Sequence, residues 1–199
     1  MLSFAAAVFL LFITPGPGVL SLAGVGSGYG WQGGLRYGTG LFIGTNLVMT
    51  LVLTGLAAIV LSVPAVRLVL MGLSVCYLLY LAARIALAGS RIAFAEAKAA
   101  PGLRAGVLLQ LINPKAYAVN TAMLTGFSYA PGNLAFETVT KVLILNAIWI
   151  PVHLCWLAAG VTLHRLNLSY RTQRLINYGM ALAMLGVVAL ALVSALGAT

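Results

Sequence analysis

Six stretches of about twenty apolar residues, nearly free of charge, constrain this chain more than any other feature. They run over about 2–25, 39–61, 67–88, 106–128, 138–161 and 177–197. A helix needs about 20 such residues to cross the hydrocarbon core of a bilayer. Only 7% of the residues are charged, against about 25% in an ordinary soluble domain. So few charges cannot cover a water-facing surface, and the solvent for most of this one is lipid. The expected fold is all-α: a polytopic membrane protein with six transmembrane helices in a single domain, residues 1–199. Two prolines in the first stretch leave a five-span or shifted arrangement open.

Charge placement predicts orientation. Eleven Lys and Arg stand against two acids, Glu96 and Glu137, for a net charge of +9. The positive charges are sparse and lie between apolar runs without interleaved aromatics, which argues against nucleic acid. The first, third and fifth linkers, with their span ends, hold Arg36, Arg84, Arg91, Lys98, Arg104, Arg165, Arg171 and Arg174; the second and fourth hold only Arg67 and Lys141. Cytoplasmic linkers carry the excess of Lys and Arg, so linkers one, three and five face the cytoplasm and both termini face outward. The third linker, 89–105, with Glu96 and Pro101, reads as a surface helix or loop. No Lys or Arg precedes the first apolar run and no small-residue cleavage site follows it, so this run reads as a retained span.

The chain repeats weakly. Arg67-Leu-Val-Leu-Met-Gly72 opens the third span, and Arg174-Leu-Ile-Asn-Tyr-Gly179 opens the sixth, 107 residues later. Gly55 and Gly160 lie near the ends of the second and fifth spans, 105 residues apart. Prolines interrupt the first span at Pro15 and Pro17 and the fourth at Pro114. Halves of about 1–88 and 106–199 each hold three spans, an odd number, so the second enters the membrane from the opposite side. Such inverted repeats are common in secondary transporters, and helices broken at corresponding places point to a midplane site.

The first interruption reads Thr14-Pro15-Gly16-Pro17-Gly18. Proline removes a backbone donor and glycine tolerates non-helical angles. Open backbone at membrane depth survives only against protein or a wet cavity. The second reads Asn113-Pro114-Lys115, with Lys115 about eight residues, or roughly 12 Å, into its span. An ammonium there costs on the order of 3 kcal/mol on insertion scales and marks a candidate site. Lys115, with freed amides near Asn113, is suited to an anionic group such as a carboxylate; the plainer reading is a lysine snorkelling to the headgroups. His153, in the fifth span, is a candidate proton carrier or simply a histidine bonded between helices. The 107-residue offset places Asn46 opposite it, as a second polar candidate.

Cys76 and Cys155 lie in apolar runs, form no CxxC or metal spacing, and read as buried inert thiols. Gly40 and Gly44 form a GxxxG, which suits close helix contact or a homodimer. Tyr77, Tyr80, Tyr117 and Trp149 are pocket or packing aromatics. No serine–histidine, paired-acid or HExxH arrangement supports an enzyme, and nothing calls for a cofactor.

Thr14-Pro15-Gly16-Pro17-Gly18-Val19-Leu20 resembles the signature of the LysE/RhtB amino-acid exporters. So do Tyr77-Leu78-Leu79-Tyr80-Leu81-Ala82 at the end of the third span and Asn113-Pro114-Lys115-Ala116 in the fourth. The length, the basic central linker, Gly179 and Gly186 fit as well. The resemblance implies a six-helix inner-membrane exporter of amino acids or close metabolites, driven by the proton gradient or the membrane potential. Pro15, Gly16, Pro17, Asn113, Pro114 and Lys115 match its motifs. The chain departs from the family where relatives often hold an acid in the fifth span: Asn146 to Trp156 has none, and His153 lies near that place. The chain holds no Asp, and neither Glu is mid-span. A cationic substrate would want an anionic partner, so a neutral amino acid bound through its carboxylate is favoured. The alternative is a membrane sensor or assembly subunit that transports nothing.

Overall fold

The computed structural model describes residues 1–87 and 100–165 and, beyond them, 171–172, 174–176, 178–179, 181–182, 185–186 and 189. Arg91, Glu96, Lys98 and most of the sixth expected span lie outside the described residues. Every regular element among the described residues is an α-helix. The order is α1 (Leu2–Ile13), α2 (Pro17–Leu53), α3 (Leu56–Ser62), α4 (Pro64–Leu87), α5 (Leu103–Ile112), α6 (Pro114–Gly126) and α7 (Leu134–Arg165). Over Leu134–Leu163, α7 is long and apolar enough to cross a bilayer, with a mean hydropathy of 1.9. Taken together, α1 and α2 also are, with a bend of 51° between them.

Helix α2 is two antiparallel arms, 17–29 and 31–53. Between them Gly30 has φ 68° and ψ −165°, a conformation that residues with a Cβ rarely adopt. In a straight helix Ser21 and Tyr37 stand about 24 Å apart. Here the Tyr37 hydroxyl donates to Ser21 Oγ at 3.0 Å, so the chain reverses at Gly30. The linker expected between 25 and 39 is therefore helix on both sides of one glycine. The second arm stops at Leu53, short of the expected 61, because Gly55 (φ 73°) turns the chain into α3.

Small residues let the arms lie directly on their neighbours. A Cβ on Gly40 would strike the Leu103 carbonyl, and one on Gly106 the Tyr37 carbonyl. A Cβ on Gly44 would lie 2.7 Å from Gln110 Cβ. The 31–53 arm is thus seated on α5. The 17–29 arm is seated on α7, where a Cβ on Gly160 would strike the Ala23 carbonyl and one on Gly26 would come within 2.7 Å of Leu157 Cδ1. The Gly40–Gly44 pair serves a contact within the chain and is not a free dimer face. Gly55 and Gly160 are not equivalents: one makes a turn and the other a helix crossing. Cys76 and Cys155 are exposed and unpaired, not buried; in an apolar span, an outward position is as comfortable for a thiol as a core.

Two apolar clusters result. One gathers Val19, Leu22, Tyr37, Leu41, Leu109, Trp149 and Leu157, with Ala181 from the C-terminal region. The other gathers Phe4, Val8, Met49, Met123, Leu124 and Leu145. Phe12 packs against both, and the candidate site opens beside it.

Candidate functional site

The first break begins where α1 ends. Thr14 (φ −63°, ψ 127°) and Gly16 (φ −162°, ψ 176°) are extended, and Pro17 starts α2 at its first position. Proline suits that position, since its missing N–H would have had no intrahelical partner. Gly16 brings no capping side chain. The first bond of the new helix runs from the Leu20 N–H to the Gly16 carbonyl at 3.0 Å, so the amides of Gly18 and Val19 precede it.

The second break has the same form but is capped. Asn113 (φ −82°, ψ 107°) separates α5 from α6, and Pro114 starts α6. Asn113 Oδ1 accepts the Lys115 N–H at 3.1 Å. In an unbroken helix that amide would serve the Leu111 carbonyl; instead the Tyr117 hydroxyl donates to it at 2.9 Å. The backbone groups freed by proline are thus met from within the chain, as burial away from water requires.

The two breaks, about a hundred residues apart in sequence, close on one another. Lys115 Nζ lies 3.4 Å from the Thr14 carbonyl and 3.5 Å from that of Pro15. A Cβ on Gly16 would stand 2.7 Å from the same ammonium, so glycine makes room for it. Around this junction lies a cavity with about 470 Å³ of empty space, part of it open to the outside. Gly16, Pro17, Gly18 and Val19 line it from one break; Asn113, Lys115 and Ala116 line it from the other.

Its buried wall is polar. Gln110 Nε2 donates to Thr45 Oγ1 at 2.8 Å, and Asn113 Nδ2 donates to Gln110 Oε1 at 3.3 Å. His153, 6% exposed, stacks on Trp149 with ring centroids 3.6 Å apart and 12° between planes. His153 Nδ1 is 2.8 Å from the Trp149 carbonyl. A carbonyl only accepts, so Nδ1 carries the hydrogen and Nε2 of the neutral ring is an acceptor. Nε2 lies 3.9 Å from where a Gly18 Cβ would be. Trp149 and His153 also bound a second, largely apolar hollow of about 540 Å³, shared with Leu22, Phe42 and Leu157. The stacked rings stand between the two spaces.

Of the residues singled out in the sequence, Gly16, Pro17, Asn113, Lys115 and His153 line one cavity. Pro15 and Pro114 shape its two breaks without lining it. Asn46 stands apart: it is bonded to Asn146, with 3.0 Å between Nδ2 and Oδ1 in each direction. The 107-residue offset therefore misplaces it; its spatial counterpart is Asn146, not His153. Thr45, Gln110 and Asn120 were not singled out. Each is a polar residue inside an expected span, and that was the available signal. No carboxylate lines the cavity among the described residues, and no group of metal-binding side chains occurs among them.

A family model described as LysE type translocator matches residues 9–195. The chain belongs to the LysE type translocator family. No match was found among curated proteins, and none among solved structures. The translocator is accordingly a membrane protein that moves a small molecule across the bilayer, and its described regular elements are all helices. Its family is one of transporters, not of enzymes.

Proposed function

We propose that this translocator exports a small neutral amino acid, or a close metabolite, across the inner membrane as a single transport domain of six spans. The observation that carries the reading is the meeting of Lys115 with the Thr14–Gly16 break inside one cavity. An ammonium in the same cavity as Gly18 and Val19, at a helix start without a capping side chain, is a setting for a carboxylate: helix starts favour anions, and a point charge adds to them. Among the described residues nothing anionic lines the cavity to receive a cationic side chain.

The two halves, about 1–88 and 106–199, are read as inverted repeats. Each holds a broken span followed by a long one. The break at Gly16 answers that at Asn113, and Asn46 answers Asn146, 97 and 100 residues apart. The broken span of each half is seated on the long span of the other, 17–29 on α7 and α5 on 31–53. Rocking of one half against the other would then expose the cavity to each side in turn. The basic linkers one, three and five face the cytoplasm in this reading, and both termini face outward. His153 is the proton-coupling candidate, with Nε2 as the atom that gains the proton.

Protein-loaded vesicles test the reading. Lys115→Ala should insert normally and lose export of every neutral amino acid that the parent moves, by about tenfold or more. Undiminished export by that variant would remove Lys115 from the site.

A further inference from the structure

We propose that Asn120 Oδ1 receives the ammonium group of the substrate, an assignment that rests on reading the cavity as an amino-acid site. Asn120 lies on α6, lines the cavity and is 2% exposed. Its Nδ2 donates to the Ala116 carbonyl at 2.8 Å. Among the described residues, its Oδ1 is the buried side-chain polar atom left with no hydrogen-bond partner. Turning the amide over does not help, because the oxygen would then face the Ala116 carbonyl, acceptor against acceptor.

Folded chains rarely keep such an atom, since an unmet acceptor forfeits its solvation without return. The other polar side chains of the buried wall have partners: Gln110 bonds Thr45 and Asn113, and Asn113 caps Lys115. The cavity therefore offers the Lys115 ammonium and, five residues or about 7.5 Å of helix rise further along α6, a buried acceptor without a partner. A zwitterion brings the two complementary groups, an anion for Lys115 and N–H donors for Asn120. Oδ1 is closed off from solvent in this conformation, so it is reached in the state where the cavity extends inward. Its unmet bond disfavours the closed state until a donor arrives, which ties substrate binding to the conformational step.

The test uses the purified full-length protein. Neutral L-amino acids are titrated one at a time, and each that binds is compared with its des-amino carboxylic acid. The parent should prefer the amino acid by about ten- to hundredfold, the range of a hydrogen bond to a charged donor. In Asn120→Leu that preference should collapse toward unity while the affinity for the des-amino acid holds. Asn120→Asp, nearly isosteric, keeps an acceptor toward the cavity while its other oxygen, carrying a hydrogen, donates to the Ala116 carbonyl, and should keep the preference. A preference retained in Asn120→Leu overturns the proposal and leaves Asn120 Oδ1 to a buried water. A preference lost in folded Asn120→Asp overturns it too. If Asn120→Leu does not fold or binds neither compound, the Asp variant decides. If the parent binds no neutral amino acid, the amino-acid reading of the cavity itself fails; binding without amine preference leaves that reading intact and sinks only the Asn120 assignment.

Discussion

Asn46 and Asn146 hold each other by two reciprocal hydrogen bonds, Nδ2 to Oδ1 at 3.0 Å in both directions. Each also donates to the carbonyl four residues before it, Phe42 and Val142, again at 3.0 Å. The two amides are in matching surroundings on the second arm of α2 and on α7. Such a pair joins the second arm of α2 to α7 and fixes their register.

Because the bonds are shared, losing either partner loses both. Asn46→Ala and Asn146→Ala should each destabilise the protein by about 1–2 kcal/mol, the upper range for interhelical bonds in membranes. The double variant should cost little more than either single one. A double-mutant cycle on reversible unfolding in detergent checks this, and additive losses would deny the coupling.

Gly16→Ala separates folding from transport. Gly16 is extended, so alanine fits its backbone, and the atom a Cβ meets is the mobile end of Lys115 at 2.7 Å. The variant should fold and insert normally, but with the ammonium displaced its export should fall severalfold. Parent-like flux in vesicles would mean that the position of the ammonium against the break does not matter.

His153→Gln tests coupling. Glutamine keeps a neutral donor and acceptor but carries no proton. Downhill flux should persist in this variant, while accumulation against a gradient driven by an imposed pH difference should be lost. Uphill export by His153→Gln would place coupling elsewhere in the chain.

At the other end of α6, a buried clasp holds the turn into α7. Glu137 Oε1 lies 2.7 Å from Lys141 Nζ, and Glu137 Oε2 accepts the N–H groups of Tyr129 at 3.1 Å and Ala130 at 2.7 Å. Lys141 donates to the Leu124 carbonyl at 2.9 Å. Glu137→Leu strands a buried ammonium and should lower the thermal midpoint by several degrees. Adding Lys141→Met should recover part of that loss, since removing both charges is milder than removing one. A double variant less stable than the single one would refute the ion pair's role as a clasp.

Sequence alone established what is local or compositional. Apolar length with sparse charge fixed the lipid solvent, because no arrangement of 7% charged residues covers a surface in water. Pro15, Pro17 and Pro114 fixed where helices break, because a missing N–H and a locked φ act on the residue that carries them. The motifs around those breaks also sufficed to recognise the family. Tertiary structure decided which polar group meets which. Asn46 found Asn146, Gln110 found Thr45, Lys115 reached Pro15, and Asn120 was left with an oxygen to spare. These outcomes depend on which helix lies against which, and that follows from close backbone approach at Gly40, Gly106 and Gly160 and from reversal at the single residue Gly30. A glycine reads the same in sequence whether it packs, turns or does neither; only the neighbour that comes to lie across it tells these apart.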